Sequence, residues 1–111
     1  MELLVYIMNH VDLLDNLLEE FSQVPNFRAT IIDSAGMAHM LKDTSYFLSL
    51  RNLLNQSQVN SKTILMAIDK DDVDKAIEII ESVVGSLDSP DTGVVFTLPI
   101  SRAKGLIKKQ D

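Results

Sequence analysis

A chain of 111 residues is long enough for one domain but hardly for two. It contains no cysteine, which excludes a disulfide framework, a thiolate zinc site and a cysteine nucleophile. The net charge of −6 argues against general binding to nucleic acid. We find no signal-peptide pattern and no apolar run approaching the roughly 20 residues of a membrane span, so we expect a cytoplasmic protein without membrane insertion.

The first half of the chain predicts a strand, a helix and a second strand. Residues 3–8 are a short apolar run, which is typical of a buried strand. In residues 11–24 the apolar side chains recur at helical spacing, and Asn9 is the expected N-terminal cap. Residues 27–34 predict the second strand, and Gly36 ends it.

The second half predicts the same order of elements. Residues 63–68 predict a third strand that is apolar on both faces. Residues 69–72 open a strong amphipathic helix, for which Gly85 is a natural stop. Residues 94–98 predict the fourth strand, which Pro99 ends.

The two halves are joined by a polar-rich excursion, residues 37–61, in which residues 46–54 favour a short helix. The order β-α-β, excursion, β-α-β predicts one α+β domain over residues 1–111. It is the ferredoxin-like split β-α-β arrangement, in which the first and third strands lie at the centre of the sheet.

Three of the strands are apolar on both faces. Two helices can cover only one face of a four-stranded sheet, and a second apolar face of this size would be an unusually large exposed patch. We therefore expect other subunits to cover it. The alternative is that a helix within residues 45–56 folds across it.

From residue 3 to about residue 98, the order and spacing of the elements resemble the PII family of nitrogen regulatory proteins. The excursion at 37–61 matches the position of that family's T-loop, and residues 86–93 match its B-loop. The segments 26–30 (NFRAT) and 94–99 (VVFTLP) also look like the cyclic-di-AMP receptors among the PII-like proteins.

This resemblance implies a signal-transduction protein and not an enzyme. The expected assembly is a homotrimer that binds a small effector, an adenine nucleotide or another small anionic ligand, in clefts between subunits. The expected protein partner, soluble or membrane-bound, would be controlled through residues 40–60. The alternatives are an interaction module without ligand and a small enzyme on the same fold.

Three residues match positions that build the ligand cleft in the PII family, namely Thr30, Gly36 and Gly93. Glycines there let backbone N–H groups approach phosphate oxygens. The resemblance adds the following candidates from the T-loop base, the B-loop and the basic tail at 102–111: Met37, Ala38, His39, Thr92, Arg102 and Lys104.

Two residues depart from the family pattern. Met40 replaces a glutamine that helps to bind magnesium and 2-oxoglutarate in that family, and a thioether is a poor magnesium ligand. Val94 replaces a phosphate-binding lysine. These departures leave open whether the ligand is ATP, another small anion or neither, and no metal site is expected.

Other patterns favour plain structural roles. The acidic stretch 69–74 lacks the ligand and the glycine that an EF-hand loop needs at its fifth and sixth positions, so helix capping is favoured. His10 and His39 have no metal-site spacing. The chain has no nucleophile-elbow or Walker motif.

Overall fold

The computed structural model describes residues 1–37 and 61–106. They form a four-stranded antiparallel sheet with two α-helices, which confirms the α+β class. Short 3₁₀ turns, Val11–Leu13 and Lys70–Asp72, precede the two helices. In chain order the elements are β1 (Glu2–Met8), α1 (Leu14–Ser22), β2 (Thr30–Ser34), β3 (Ser61–Ile68), α2 (Val73–Val84) and β4 (Val94–Pro99).

The strand order in the sheet is β2-β3-β1-β4. The most continuously apolar strands, β1 and β3, are central, as their composition predicts. Val5 of β1 lies opposite Leu65 of β3 and Phe96 of β4. Thr30 of β2 also lies opposite Leu65, so these residues share one face.

The core lies between the sheet and the helices. Tyr6 and Ile64 are fully buried on the sheet side, and Leu17 and Ile80 are fully buried on the helices. Each such side chain stabilises the fold by about 1.5–3 kcal/mol through removal of apolar surface from water. The remaining buried apolar residues are Leu4, Met8, Phe21, Phe27, Met66, Ile68 and Ala76.

The other side of the sheet carries an apolar surface that we call the open face. Its two most exposed large side chains on β4 are Phe96 at 51% and Leu98 at 48%, so the described elements leave it uncovered. A helix at 45–56, the alternative cover, lies outside the described residues. The apolar residues of the open face are Leu3, Val5, Ile7, Ile32, Leu65, Ala67, Val94, Phe96 and Leu98.

The second strand begins later than predicted. We expected it over residues 27–34, but β2 starts at Thr30. Asn26 has a positive φ of 71°, and the Phe27 N–H donates to the carbonyl of Val24 at 3.2 Å. The turn therefore continues to Phe27, whose ring packs edge-on against Phe21 with centroids 5.9 Å apart. Core packing thus takes this residue out of the strand.

The predicted side-chain caps are wrong. His10, not Asn9, is the N-cap of the 3₁₀ turn before α1, and it makes no side-chain cap bond; Asn9 instead accepts a backbone bond from Val11. Asp72 precedes α2, also without a cap bond. Instead, the 3₁₀ turns provide backbone hydrogen bonds to some of the N–H groups at the start of each helix. The predicted stop at Gly85 is confirmed, with φ +92°.

Three further boundaries differ from the sequence expectation. The helical segment predicted over 11–24 consists of the 3₁₀ turn and α1, which ends at Ser22. β3 begins at Ser61, two residues before the predicted start, because Ser61 pairs with Ser34 of β2. Pro99 is included in β4, since it lies opposite Glu2 of β1.

Candidate functional site

A groove of about 330 Å³ lies beside the start of β2, the second half of β3 and the start of β1. Its volume is at the lower end of the range for small-ligand pockets. The polar residues along it are Asn26, Arg28, Thr30, Asp69 and Asp72. The other residues along it are Met1, Leu3, Phe27, Leu65, Met66, Ala67, Ile68, Gly105 and Leu106.

The polar side chains of the groove come from two connections. Arg28 follows the turn at Asn26 and leads into β2, while Asp69 and Asp72 belong to the short connection between β3 and α2. The guanidinium of Arg28 suits phosphate or carboxylate, since it offers several N–H donors in one plane. The two carboxylates accept hydrogen bonds from amino groups.

The groove also reaches the open face. Leu3, Thr30 and Leu65 belong to both surfaces. An apolar wall of this kind suits a flat ring, whereas the polar rim can orient charged or hydrogen-bonding groups. A subunit that covered the open face would therefore border the groove as well.

The predicted site residues are divided between the two ends of the sheet. Thr30 lines the groove. Arg102 and Lys104 are exposed and belong to the C-terminal segment that lines the groove at Gly105 and Leu106. Ala38 and His39 lie outside the described residues.

The other predicted residues lie at the opposite end of the sheet. Gly36 and the exposed Met37 follow Ser34 at the end of β2. Thr92 and Gly93 precede β4, whose first residue pairs with Ile7 near the end of β1. One chain therefore does not bring these four residues to the groove.

Thr92 and Gly93 have roles in their own loop. The Tyr6 hydroxyl donates a 2.6 Å hydrogen bond to the Thr92 carbonyl, and the Thr92 hydroxyl donates to the carbonyl of Ser89 at 2.9 Å. Gly93 has φ +102°, and a Cβ there would lie 2.2 Å from the carbonyl oxygen of Ile7. Backbone conformation and close packing thus require glycine at this position.

A cluster of hydroxyl groups lies where β2 ends and β3 begins. Ser34 Oγ is 2.8 Å from Ser61 Oγ, and the Thr63 hydroxyl donates to Ser34 Oγ at 2.8 Å. An ion pair between Lys62 and Asp33 lies beside it. These contacts hold together the two strand ends from which residues 38–60 depart.

Sequence reasoning missed most of the groove. Asn26 and Arg28 were noted only for a resemblance. Asp69 and Asp72 were noted only as part of the acidic stretch 69–74, which was interpreted as capping and dipole stabilisation at a helix start. Leu106 carried no signal. The pairing of β2 with β3 brings the first two residues near the second two, although about 40 positions separate them along the chain.

A metal-binding cluster and a membrane-spanning helix are both absent from the described residues. Residues 1–37 and 61–106 contain no group of three or more histidine or acidic residues placed to hold a metal ion. In the same part of the chain no helix has the length and apolar character that crossing a membrane requires.

No protein-family profile matches the chain, and no curated protein matches it in sequence. Among solved structures, the chain is similar to a functionally unknown protein from Pediococcus pentosaceus ATCC 25745. The TM-score is 0.61 and the identity 18%, over 93% of this chain and 94% of that one. At this identity the likeness shows the fold alone.

Proposed function

We propose that the protein is a PII-like regulatory protein of the ferredoxin-like fold, which binds an adenine nucleotide and controls a partner protein. The observation that carries the proposal is the groove, because it joins an apolar wall to the polar groups of Arg28 and Thr30. The order β2-β3-β1-β4 and the placement of both helices on one face agree with this fold.

The chemistry of the groove fits a nucleotide in two parts. Leu3, Leu65 and Ala67 provide apolar surface for a flat base. Arg28 provides donors for a phosphate, and Thr30 adds a hydroxyl on the same side. Asp69 and Asp72 on the facing connection can accept hydrogen bonds from an exocyclic amino group.

We further propose that the open face is covered by two other copies of the chain, in a homotrimer. The groove shares Leu3, Thr30 and Leu65 with that face, so a neighbouring subunit would complete its wall. Thr92 and Gly93, at the far end of the same sheet, would then approach the groove of a neighbouring subunit. In a trimer, Thr92 and Gly93 could therefore contribute to a groove even though they lie far from the groove of their own chain.

Signalling would follow from a population shift. The segment from Met37 to Ser61 leaves and re-enters the sheet at the hydroxyl cluster of Ser34, Ser61 and Thr63. A nucleotide that favours one arrangement of this segment changes its fit to a protein partner, and the size of the effect equals the difference in affinity between the arrangements. We place this protein in the cytoplasm, where adenine nucleotides are abundant.

Isothermal titration of the purified protein with ATP, ADP, cyclic di-AMP and 2-oxoglutarate tests the proposal. We expect saturable binding of at least one adenine compound and a loss of about tenfold or more in affinity in Arg28→Ala, since a charge-assisted hydrogen bond contributes about 1.5–3 kcal/mol. Lys62→Ala, which removes a cation at the other end of the sheet, is the matched control. Absence of binding to all four compounds contradicts the proposal.

A further inference from the structure

The outer edge of β4 has no strand beside it among the described residues, because β4 is the last strand of the sheet. The hydrogen bond from the Ile100 N–H to the carbonyl of Met1 shows which residues turn their backbone groups toward β1. In an antiparallel pair this direction alternates from one residue to the next. Residues at even positions therefore face β1, and the outward-facing backbone groups of β4 belong to Val95, Thr97 and Pro99.

The position of Pro99 agrees with this alternation. Proline has no backbone N–H, so a strand tolerates it where that group would face outward. Thr97 is exposed although it lies on the same face as the core, so the helices do not cover this edge. Residues 94–100 carry no charge that would repel another strand. The edge therefore offers the N–H and C=O groups of Val95 and Thr97 to a partner strand.

The two ends of β4 carry opposite charges. Asp88 and Asp91 are exposed in the loop that enters the strand, and Arg102 and Lys104 are exposed just after it. Within the described part of the chain these side chains form no ion pair. The 6 residues of β4, at about 3.3 Å each, separate the two ends by roughly 20 Å. The acidic end is therefore complementary to the basic end of a second β4 that runs antiparallel to it.

We propose that the free edge of β4 pairs antiparallel with β4 of a second copy of the chain, around a two-fold axis beside Phe96. In this register Val95 and the partner's Thr97 exchange backbone hydrogen bonds in both directions. Pro99 lies opposite the partner's Gly93, which precedes the strand. An axis beside Thr97 is disfavoured, because Pro99 would then face the partner's Val95 and leave its carbonyl without a donor.

Side chains add to this backbone pairing. The two-fold axis places Phe96 directly opposite the partner's Phe96, and aromatic pairs across two strands stabilise a sheet. Arg102 comes to the end of the sheet at which the partner's Asp91 lies, so opposite charges meet there. A contact through one strand edge buries little surface, and it is therefore weak and reversible.

This contact is distinct from the proposed homotrimer and goes beyond the proposed function, since no nucleotide takes part in it. The trimer would cover the side chains of the open face, whereas the pairing uses the backbone edge of β4. The pairing joins two copies of whatever assembly the chain forms at low concentration, whether that is a trimer or a monomer.

Sedimentation equilibrium of the full chain at about 10 µM and about 1 mM, without ligand, tests the inference. We expect the mass to increase about twofold or more at the higher concentration, and more readily at low ionic strength. Thr97→Pro removes an outward-facing N–H and leaves the bonds to β1 intact, so its mass should not change with concentration. Thr97→Val keeps that N–H and is the matched control, which should associate like the wild type.

Hydrogen–deuterium exchange of the wild type, followed by NMR at both concentrations, resolves single amides. Those of Val95 and Thr97 should exchange about fivefold more slowly or slower still at the higher concentration. Those of Phe96 and Leu98 are already bonded to β1 and should not change. A constant mass, or unchanged exchange at Val95 and Thr97, overturns the inference. An increase in mass that Thr97→Pro retains in full also overturns it, since the copies would then associate through another surface.

Discussion

The hydroxyl of Tyr6 donates a 2.6 Å hydrogen bond to the backbone carbonyl of Thr92, 86 positions further along the chain. Tyr6 is fully buried at the centre of the sheet, and Thr92 belongs to the loop that enters β4. This bond therefore joins the core to a loop that has little buried surface of its own, since Thr92 is its one buried residue. The loop is also held at its other end, where the Leu87 N–H donates to the Glu81 carboxylate at 2.8 Å, so the phenol fixes the end that enters β4.

Tyr6→Phe tests this connection. The substitution keeps the ring in the core and leaves the Thr92 carbonyl without its phenol donor. We expect the free energy of unfolding to fall by about 1–3 kcal/mol. Urea unfolding followed by circular dichroism measures the loss.

Ser22→Ala is the control for that measurement. The Ser22 hydroxyl also donates to a carbonyl, that of Glu19 at 2.6 Å, but it lies in an exposed position. Water replaces such a bond, so stability should change by less than about 0.5 kcal/mol. Equal losses in the two variants would contradict the special role of Tyr6.

The same phenol predicts a pH dependence at high pH. Burial raises the pKa of Tyr6 from 10.0 to about 12. The unfolded chain releases this proton near pH 10 whereas the folded protein keeps it up to about pH 12. The contribution is therefore complete below pH 10 and is lost as the pH rises to 12.

The expected loss over this range is on the order of 2–3 kcal/mol, because one pKa unit corresponds to about 1.4 kcal/mol. Urea unfolding at a series of pH values, in the wild type and in Tyr6→Phe, isolates the effect. The stability of the wild type relative to Tyr6→Phe should fall by about 2–3 kcal/mol as the pH rises from 10 to 12. A constant difference would show that the phenol titrates equally in both states.

Gly93 and Gly85 form a matched pair of positions for a test of close packing. Both have φ near +100°, but a Cβ at Gly93 would strike the Ile7 carbonyl and the Tyr6 ring, while Gly85 has open space around it. We expect Gly85→Ala to cost about 1–3 kcal/mol through backbone strain alone. Gly93→Ala should cost on the order of 4 kcal/mol or more. Similar melting temperatures for the two variants would contradict this.

The sequence predicts the faces of the sheet well. A period of two separates Val5 from Leu4 and Tyr6 on β1, and the burial of Leu4 and Tyr6 shows which of the two faces is the core. Which faces of neighbouring strands coincide is set by the register, which places Val5 opposite Leu65 and Phe96. The caps were predicted poorly. Asn9 and Asp72 are suitable residue types for capping, but neither makes a side-chain cap bond, and backbone hydrogen bonds of the 3₁₀ turns take that place. Periodicity is repeated along an element, whereas a cap depends on one local conformation.

The candidate site was harder to predict for a different reason. Thr30 was found through a family resemblance, but Arg28 and Asp69 become neighbours of one groove only once β2 pairs with β3. Leu106 reaches the groove only because the chain turns back after β4 beside Met1. No pattern of residues in the sequence predicts that the chain turns back toward the groove after β4.

The open face provides the last prediction. Phe96 is half exposed at the edge strand β4, and residues 94–100 contain no charged side chain that would discourage association. If sister chains cover this surface, Phe96→Glu places a charge in a desolvated interface. We then expect the wild type to be a trimer at micromolar concentration and Phe96→Glu to be a folded monomer, by light scattering and circular dichroism.

Val11→Glu is the control, since Val11 is an exposed apolar residue in the 3₁₀ turn before α1 and lies away from the open face. It should remain trimeric, because its charge stays in water. A stable wild-type monomer would mean that residues of the same chain cover Phe96 and its neighbours. The groove would then have no wall from a second subunit, and Thr92 and Gly93 would keep only their roles within their own loop.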